Sequence, residues 1–216
     1  MDLSLLLEAP LEVAASVITR KVFDALKHNI DVYHKSGELE IPVYPNDRSL
    51  IDAVVLKIQY KPGTRRWPYV KGNFVTKGKH RVIFIEIPSV KHEILPQDYQ
   101  ALYQEIDEII RHELEHSGQH KAGTLSLKVP SINFNDPDEV IWYFTHPDEL
   151  AARVAATYYD AKKKGVPFTQ AVKEKMNDLK AALTRREING QEIDRVISSI
   201  TPVWHKYAVK RFPRLQ

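Results

Sequence analysis

The chain has 216 residues, of which 43% are hydrophobic and 27% charged, with a formal net charge of +3 and no cysteine. That length holds one substantial core, or one domain with an appendage, and the composition is that of a folded rather than a disordered chain. The lack of cysteine excludes a disulfide framework, a thiolate nucleophile and a thiolate metal site, so any metal must be held by His, Asp or Glu.

The N-terminal stretch MDLSLLLEAPLEVAASVITRKVF carries Asp2 and Glu8 and lacks a basic start, so it reads as mature sequence rather than a secretory signal. No apolar run reaches bilayer-spanning length, and the expectation is a soluble protein, cytoplasmic or virion-associated, with no membrane partner. From Pro10 to about His34 the apolar positions Leu11, Ala14, Ala15, Ile18, Val22, Ala25, Leu26 and Ile30 recur at steps of three and four, which predicts an amphipathic helix stopped by Gly37.

Short β-like segments follow: GELEIPVY, DAVVLKIQY, NFVT and HRVIFIEIP, separated by Pro, Gly and Asn. They predict a small sheet of three or four strands. Between Asp52 and Glu86 there is no acidic residue, while Lys57, Lys61, Arg65, Arg66, Lys71, Lys77, Lys79 and Arg81 all fall there, interleaved with Trp67, Tyr69 and Phe74. This is the composition of a segment that contacts nucleic acid, and equally that of a solvated loop between strands.

After Pro96 the period turns helical again, with Tyr99, Leu102, Ile106, Ile109 and Ile110 forming a stripe that runs into His-Glu-Leu-Glu-His; Gly118 and Gly123 bracket the expected end. A polar connection containing Pro130, Asn135, Pro137 and Asp138 is expected next. Thr145-His-Pro-Asp-Glu then reads as a helix start, with Thr145 as cap, Pro147 in the first turn and Asp148 at the positive end, continuing to Gly165. Two further helices, about 168–187 and 191–208, are separated by Asn189-Gly190 and predict an antiparallel pair.

Residues His112 to His116 satisfy His-Glu-x-x-His. On a helix this spacing puts both imidazoles one turn apart on one side, within reach of a single ion, with Glu113 placed to act on water bound there. At about 100 degrees per residue Glu113 falls on the apolar stripe, His112 and His116 on its flank, and Glu115 well away. A carboxylate on a buried stripe is costly unless it has a role. Catalytic zinc takes three protein ligands as a rule, and the third must come from elsewhere. Glu149 is the leading candidate, since Ala152 and Ala156 behind it would let its helix approach closely; His146 and Asp148 compete with it.

The motifs HELEH and HPDELAARVAATYY resemble those of zincin-type metallopeptidases of the glutamate-ligand group, and the layout is similar to small ImmA/IrrE-type and phage-encoded zincins. The extended His-x-x-Gly-x-x-His form is absent. The resemblance implies Zn2+ on His112, His116 and Glu149, with Glu113 as general base. Together with the periodicity outside about 80–165, which the resemblance covers, it gives the expected fold: a minimal α+β zincin-like domain over 1–165 with an N-terminal helix, a small three- to four-stranded sheet, a His-Glu-x-x-His helix and a Glu-ligand helix, and a helical hairpin over 166–216 packed on it as one compact unit. It further implies that HRVIFIEIP lines the cleft, because zincins bind substrate as an added strand at the sheet edge.

The expected activity is a zinc-dependent endopeptidase acting on a protein or peptide, with Tyr143, His146 and Tyr159 as candidates to stabilise the oxyanion. Tyr158 is expected to face away from Glu149 and pack in the core. The alternative is a nucleic-acid-binding or assembly protein that uses the 57–81 segment and keeps a structural or vestigial metal site. The two combine if the basic segment, Lys57 to Arg81, recruits an acidic or nucleoprotein partner to a peptidase.

Overall fold

The computed structural model describes residues 3–28, 37–43, 51–60, 70–77, 80–89, 96–123 and 132–212. Among them are six helices and one four-stranded mixed sheet, an α+β arrangement. The chain divides into two compact units, Met1–Ala122 and Gly123–Gln216. The boundary at 165 expected from the sequence lies inside the second unit, because one apolar cluster runs there from Val140 to Phe212.

In the first unit, α1 (Leu3–His28) precedes β1 (Gly37–Pro42), β2 (Ala53–Tyr60), β3 (Lys71–Lys77) and β4 (His80–Ser89), and α2 (Pro96–Lys121) closes it. Helix α1 begins at Leu3 rather than Pro10 and ends at His28; the expected stretch to His34 lies outside the described residues. Gly37 opens β1 instead of closing the helix.

The strand order is β1-β2-β4-β3, with β4 parallel to β2 and antiparallel to β3. HRVIFIEIP is therefore an interior strand and not the cleft edge that the resemblance implied: β4 is hydrogen-bonded on both sides, and among the described residues the edges are β1 and β3. Its near-continuous apolar run is the mark of an interior strand, whereas Lys71, Gly72 and Asn73 suit an edge.

Strand alternation sends Ile83, Ile85 and Ile87 of β4 and Val54 of β2 to one face, where they meet Ala15, Ile18 and Val22 of α1 and Leu102, Ile106 and Ile110 of α2 in one buried cluster. Phe23 fixes the two helices to each other with edge-on contacts to Tyr99 and Tyr103. A buried polar link adds to this: Thr19 Oγ1 donates to Asp107 Oδ1 at 3.0 Å, and Arg111 Nε donates to Asp107 Oδ2 at 3.1 Å.

Gly72 sits where β3 crosses α2. A Cβ there would lie 2.3 Å from Ile109 Cγ2 and 2.9 Å from Glu113 Oε1, so only glycine allows this approach. The edge strand is thereby held directly over the turn that carries the His-Glu-x-x-His motif.

The second unit is helical: α3 (Pro137–Thr145), α4 (Pro147–Lys164), α5 (Phe168–Thr184) and α6 (Gly190–Arg211). The polar connection expected before Thr145 is in part α3, capped by Asp136, whose side chain accepts from the backbone N–H groups of Asp138 and Glu139. Thr145 accordingly ends α3, its hydroxyl donating to Ile141 O at 2.7 Å, and does not cap α4. Helix α4 starts with Pro147, Asp148 and Glu149 in its first turn and stops at Gly165 in the left-handed conformation, φ 66°. Trp204 is buried, and its Nε1 donates to Phe144 O at 3.0 Å. Tyr158 packs in this unit as expected, stacked on Phe212 at 4.0 Å between ring centroids.

Gly72→Ala should lower the unfolding free energy by about 1–3 kcal/mol through overpacking against the stiff Ile109 side chain. Asn73→Ala next to it, at an exposed position, should change it by less than about 0.5 kcal/mol. Urea unfolding of both variants checks this, and an unchanged Gly72→Ala midpoint would contradict the close approach.

Candidate metal centre

The apolar stripe of α2 gives way, in its last turns, to a run of buried polar side chains. Glu113, Glu115, His116 and Ser117 are 5%, 7%, 8% and 0% exposed, with Leu114 among them at 1%. Consecutive helical residues point about 100 degrees apart, so this turn is enclosed around its whole circumference. Glu115, which the wheel places well away from the apolar stripe, is buried as well, because the wheel registers only that stripe and not what encloses the remaining faces. Helix α2 also runs through Gly118, without a break there, to Lys121, and the left-handed glycine is Gly123, φ 70°.

The imidazoles of His112 and His116 meet edge-on, 4.6 Å between ring centroids, with their Nε2 atoms 3.1 Å apart. Two nitrogens bound to one tetrahedral zinc at ordinary bond lengths are separated by about 3.3 Å, so this spacing suits a shared ion. On its other side His116 Nδ1 is 2.9 Å from Gln119 Oε1.

Glu149 is 5% exposed in the first turn of α4. Arg153, one turn on, donates from Nε to Glu149 Oε2 at 3.1 Å and from its terminal Nη2 to the Tyr143 hydroxyl at 3.0 Å. The guanidinium lies over the rings of Phe144 and Tyr143, 4.6 and 5.1 Å from their centroids. The Tyr143 hydroxyl also hydrogen-bonds Glu149. Burial raises the Tyr143 pKa above 10.0, outweighing the opposing pull of Arg153, and Glu149 adds to the rise. The hydroxyl therefore keeps its proton at neutral pH and remains a donor.

His112, His116 and Glu149 form a group that could hold a metal ion: each offers one ligand atom, and the three atoms all lie within 4.8 Å of one another. Two imidazoles and a carboxylate are a donor set that suits zinc and other divalent transition metals. Neither competitor of Glu149 belongs to the group. His146 packs its ring on Trp142 at 4.9 Å, and its buried Nδ1 has no hydrogen-bond partner, with Asp148 Oδ2 3.9 Å away. Asp148 is buried in the first turn of α4, beside Glu149 in sequence.

Of the basic segment, Lys61, Arg65, Arg66, Lys79, Trp67 and Tyr69 lie outside the described residues. Arg81 is tied to Asp52, which accepts from the Arg81 backbone N–H at 2.6 Å and lies 3.7 Å from its Nε. Lys57 and Lys71 are the register partners of Glu86 in β2 and β3, an alternating row of charge across the sheet. The described part of the segment is thus strand rather than loop, with acidic neighbours supplied by the fold. No helix among the described residues is long and apolar enough to cross a membrane.

Sequence reasoning missed Gln119 and Arg153. Their spacing was the available signal: Gln119 is three residues after His116 and Arg153 four after Glu149, the two separations that make neighbours on a helix. No protein-family model, curated protein or solved structure matches the chain.

Because its folded pKa is raised, Tyr143 contributes stability that is whole below about pH 10 and is lost as pH climbs above it. Tyr143→Phe should flatten that alkaline decline in urea titrations. The difference between the absorbance titrations of the two proteins should show a tyrosinate step above 10.0; a step at or below that value would mean the hydroxyl is not buried among these partners.

Proposed function

We propose that the protein is a zinc-dependent endopeptidase, with His112, His116 and Glu149 as the metal ligands and Glu113 as the general base. The observation that carries this reading is the convergence of three donor atoms from those residues to within 4.8 Å of one another. Support also comes from the burial of Glu113, since an enclosed carboxylate beside two imidazoles is costly without a function.

When bound, zinc supplies a Lewis acid that polarises the scissile carbonyl and makes water acidic enough to lose a proton near neutral pH. The chain's own groups do the rest. Glu113, adjacent to His112 in sequence, takes the proton from the attacking water and returns it to the departing amine. Gly72 has no side chain to cover the Glu113 carboxylate, so Oε1 lies close under the backbone of β3. Tyr143 holds its proton and donates to Glu149, which makes it a support for the ligand carboxylate. The edge strand β3 is positioned over Glu113 and, as an edge, has backbone groups with which an extended peptide could pair.

Elemental analysis after dialysis against metal-free buffer should find about one zinc per chain in the wild type and in Glu113→Gln, little in His116→Ala, and reduced occupancy in Glu149→Ala. Digestion of an unfolded protein followed by mass spectrometry should show cleavage by the wild type, reduced at least about a hundredfold in Glu113→Gln. A wild type that takes up no zinc, even when it is added back, would sink this reading.

A further inference from the structure

We propose that Gln119 is a positioning residue for the metal centre, its side-chain oxygen accepting the Nδ1 proton of His116 and so directing the Nε2 lone pair of that ring toward the ion. This rests on His112, His116 and Glu149 being metal ligands. It concerns how one of them is made ready before any ion arrives.

A neutral imidazole has one N–H and one lone pair, so a proton at Nδ1 leaves Nε2 bare. Gln119 Oε1 lies 2.9 Å from His116 Nδ1, a distance at which the amide oxygen accepts that proton. At three residues beyond His116 on a continuous helix, Gln119 lies on the same side of α2, so its reach is set by the backbone rather than by a loop.

The second contact is consistent with this tautomer. The two Nε2 atoms are 3.1 Å apart, which is a hydrogen bond only if one of them carries a proton and the other does not. With His116 protonated at Nδ1, the Nε2 proton belongs to His112. The two histidines thus stand in unlike tautomers: His116 is already set to bind through Nε2, while His112 must give up its Nε2 proton to the solvent or to its own Nδ1 when an ion takes that place. Partners of this kind fix the ring and raise its basicity, and their removal costs roughly ten- to a hundredfold in metal affinity.

Gln119→Met keeps the length and helix preference of the side chain but removes the acceptor, while Gln119→Glu keeps the reach and strengthens the acceptor. In chelator competition with zinc, Gln119→Met should bind about ten- to a hundredfold more weakly than the wild type, and Gln119→Glu at least as tightly. Long-range proton–nitrogen NMR of the zinc-free wild type, at a pH where the rings are neutral, should show His116 protonated at Nδ1, and the preference should weaken in Gln119→Met. A purely structural Gln119 would leave both readouts unmoved. Wild-type zinc affinity in Gln119→Met, or an Nε2 proton on His116, would overturn the proposal while leaving the metal centre intact. A wild type that binds no zinc would overturn both.

Discussion

Enclosing two carboxylates and an imidazole, those of Glu113, Glu115 and His116, in one turn of a core helix is the constraint around which the first unit is built. Isolated in an apolar interior, these groups would cost several kcal/mol apiece. Helix α2 meets that cost by spending its earlier turns on apolar contacts, with Leu102, Ile106 and Ile110 fully buried against α1 and the sheet, before it presents Glu113 and His116. Removing the polar turn would leave an ordinary sheet-packed helix. Keeping it requires that each polar atom find a partner, and the Nε2 to Nε2 and Nδ1 to Gln119 contacts supply two of these.

The sheet answers the same constraint from the other side. An edge strand with a side chain at position 72 would be pushed off Ile109 and Glu113, and the turn would be covered less closely. Glycine weakens a strand interior, so its presence in β3 runs against strand stability and in favour of proximity to Glu113. The central position of β4 makes this possible: it gives β3 an antiparallel partner on one side only, leaving the other side of β3 as an edge of the sheet.

Much of this was legible in the residues, and the limits were physical. Periodicity located the strands, α2 and the C-terminal helix pair, because each buries one face and so repeats. Strand order is a nonlocal property, and no local pattern in HRVIFIEIP distinguishes a central strand from an edge approached by a substrate; the length of its apolar run was the better clue. Helix α3 was missed since nine residues are too few to establish a period. Its start was nevertheless written in Asp136-Pro137-Asp138-Glu139, a cap, a first-turn proline and two acids at the positive end. The His-Glu-x-x-His spacing singled out two members of the group that could hold a metal ion, while Glu149 needed the fold to separate it from His146 and Asp148.

His116 in the first unit and Glu149 in the second are restrained by different means. His116 Nδ1 is met by the neutral side-chain amide of Gln119. Glu149 is held by the charged guanidinium of Arg153 on one oxygen, with Tyr143 bound to both. A cation paired with a carboxylate orients it and also reduces its attraction for a further cation, so Arg153 favours a defined geometry at Glu149. The stacking of Arg153 on Phe144 and Tyr143 keeps the guanidinium in place whether or not an ion is bound. The orientation of His116 and that of Glu149 are therefore each set by partners one helical turn away in the same unit.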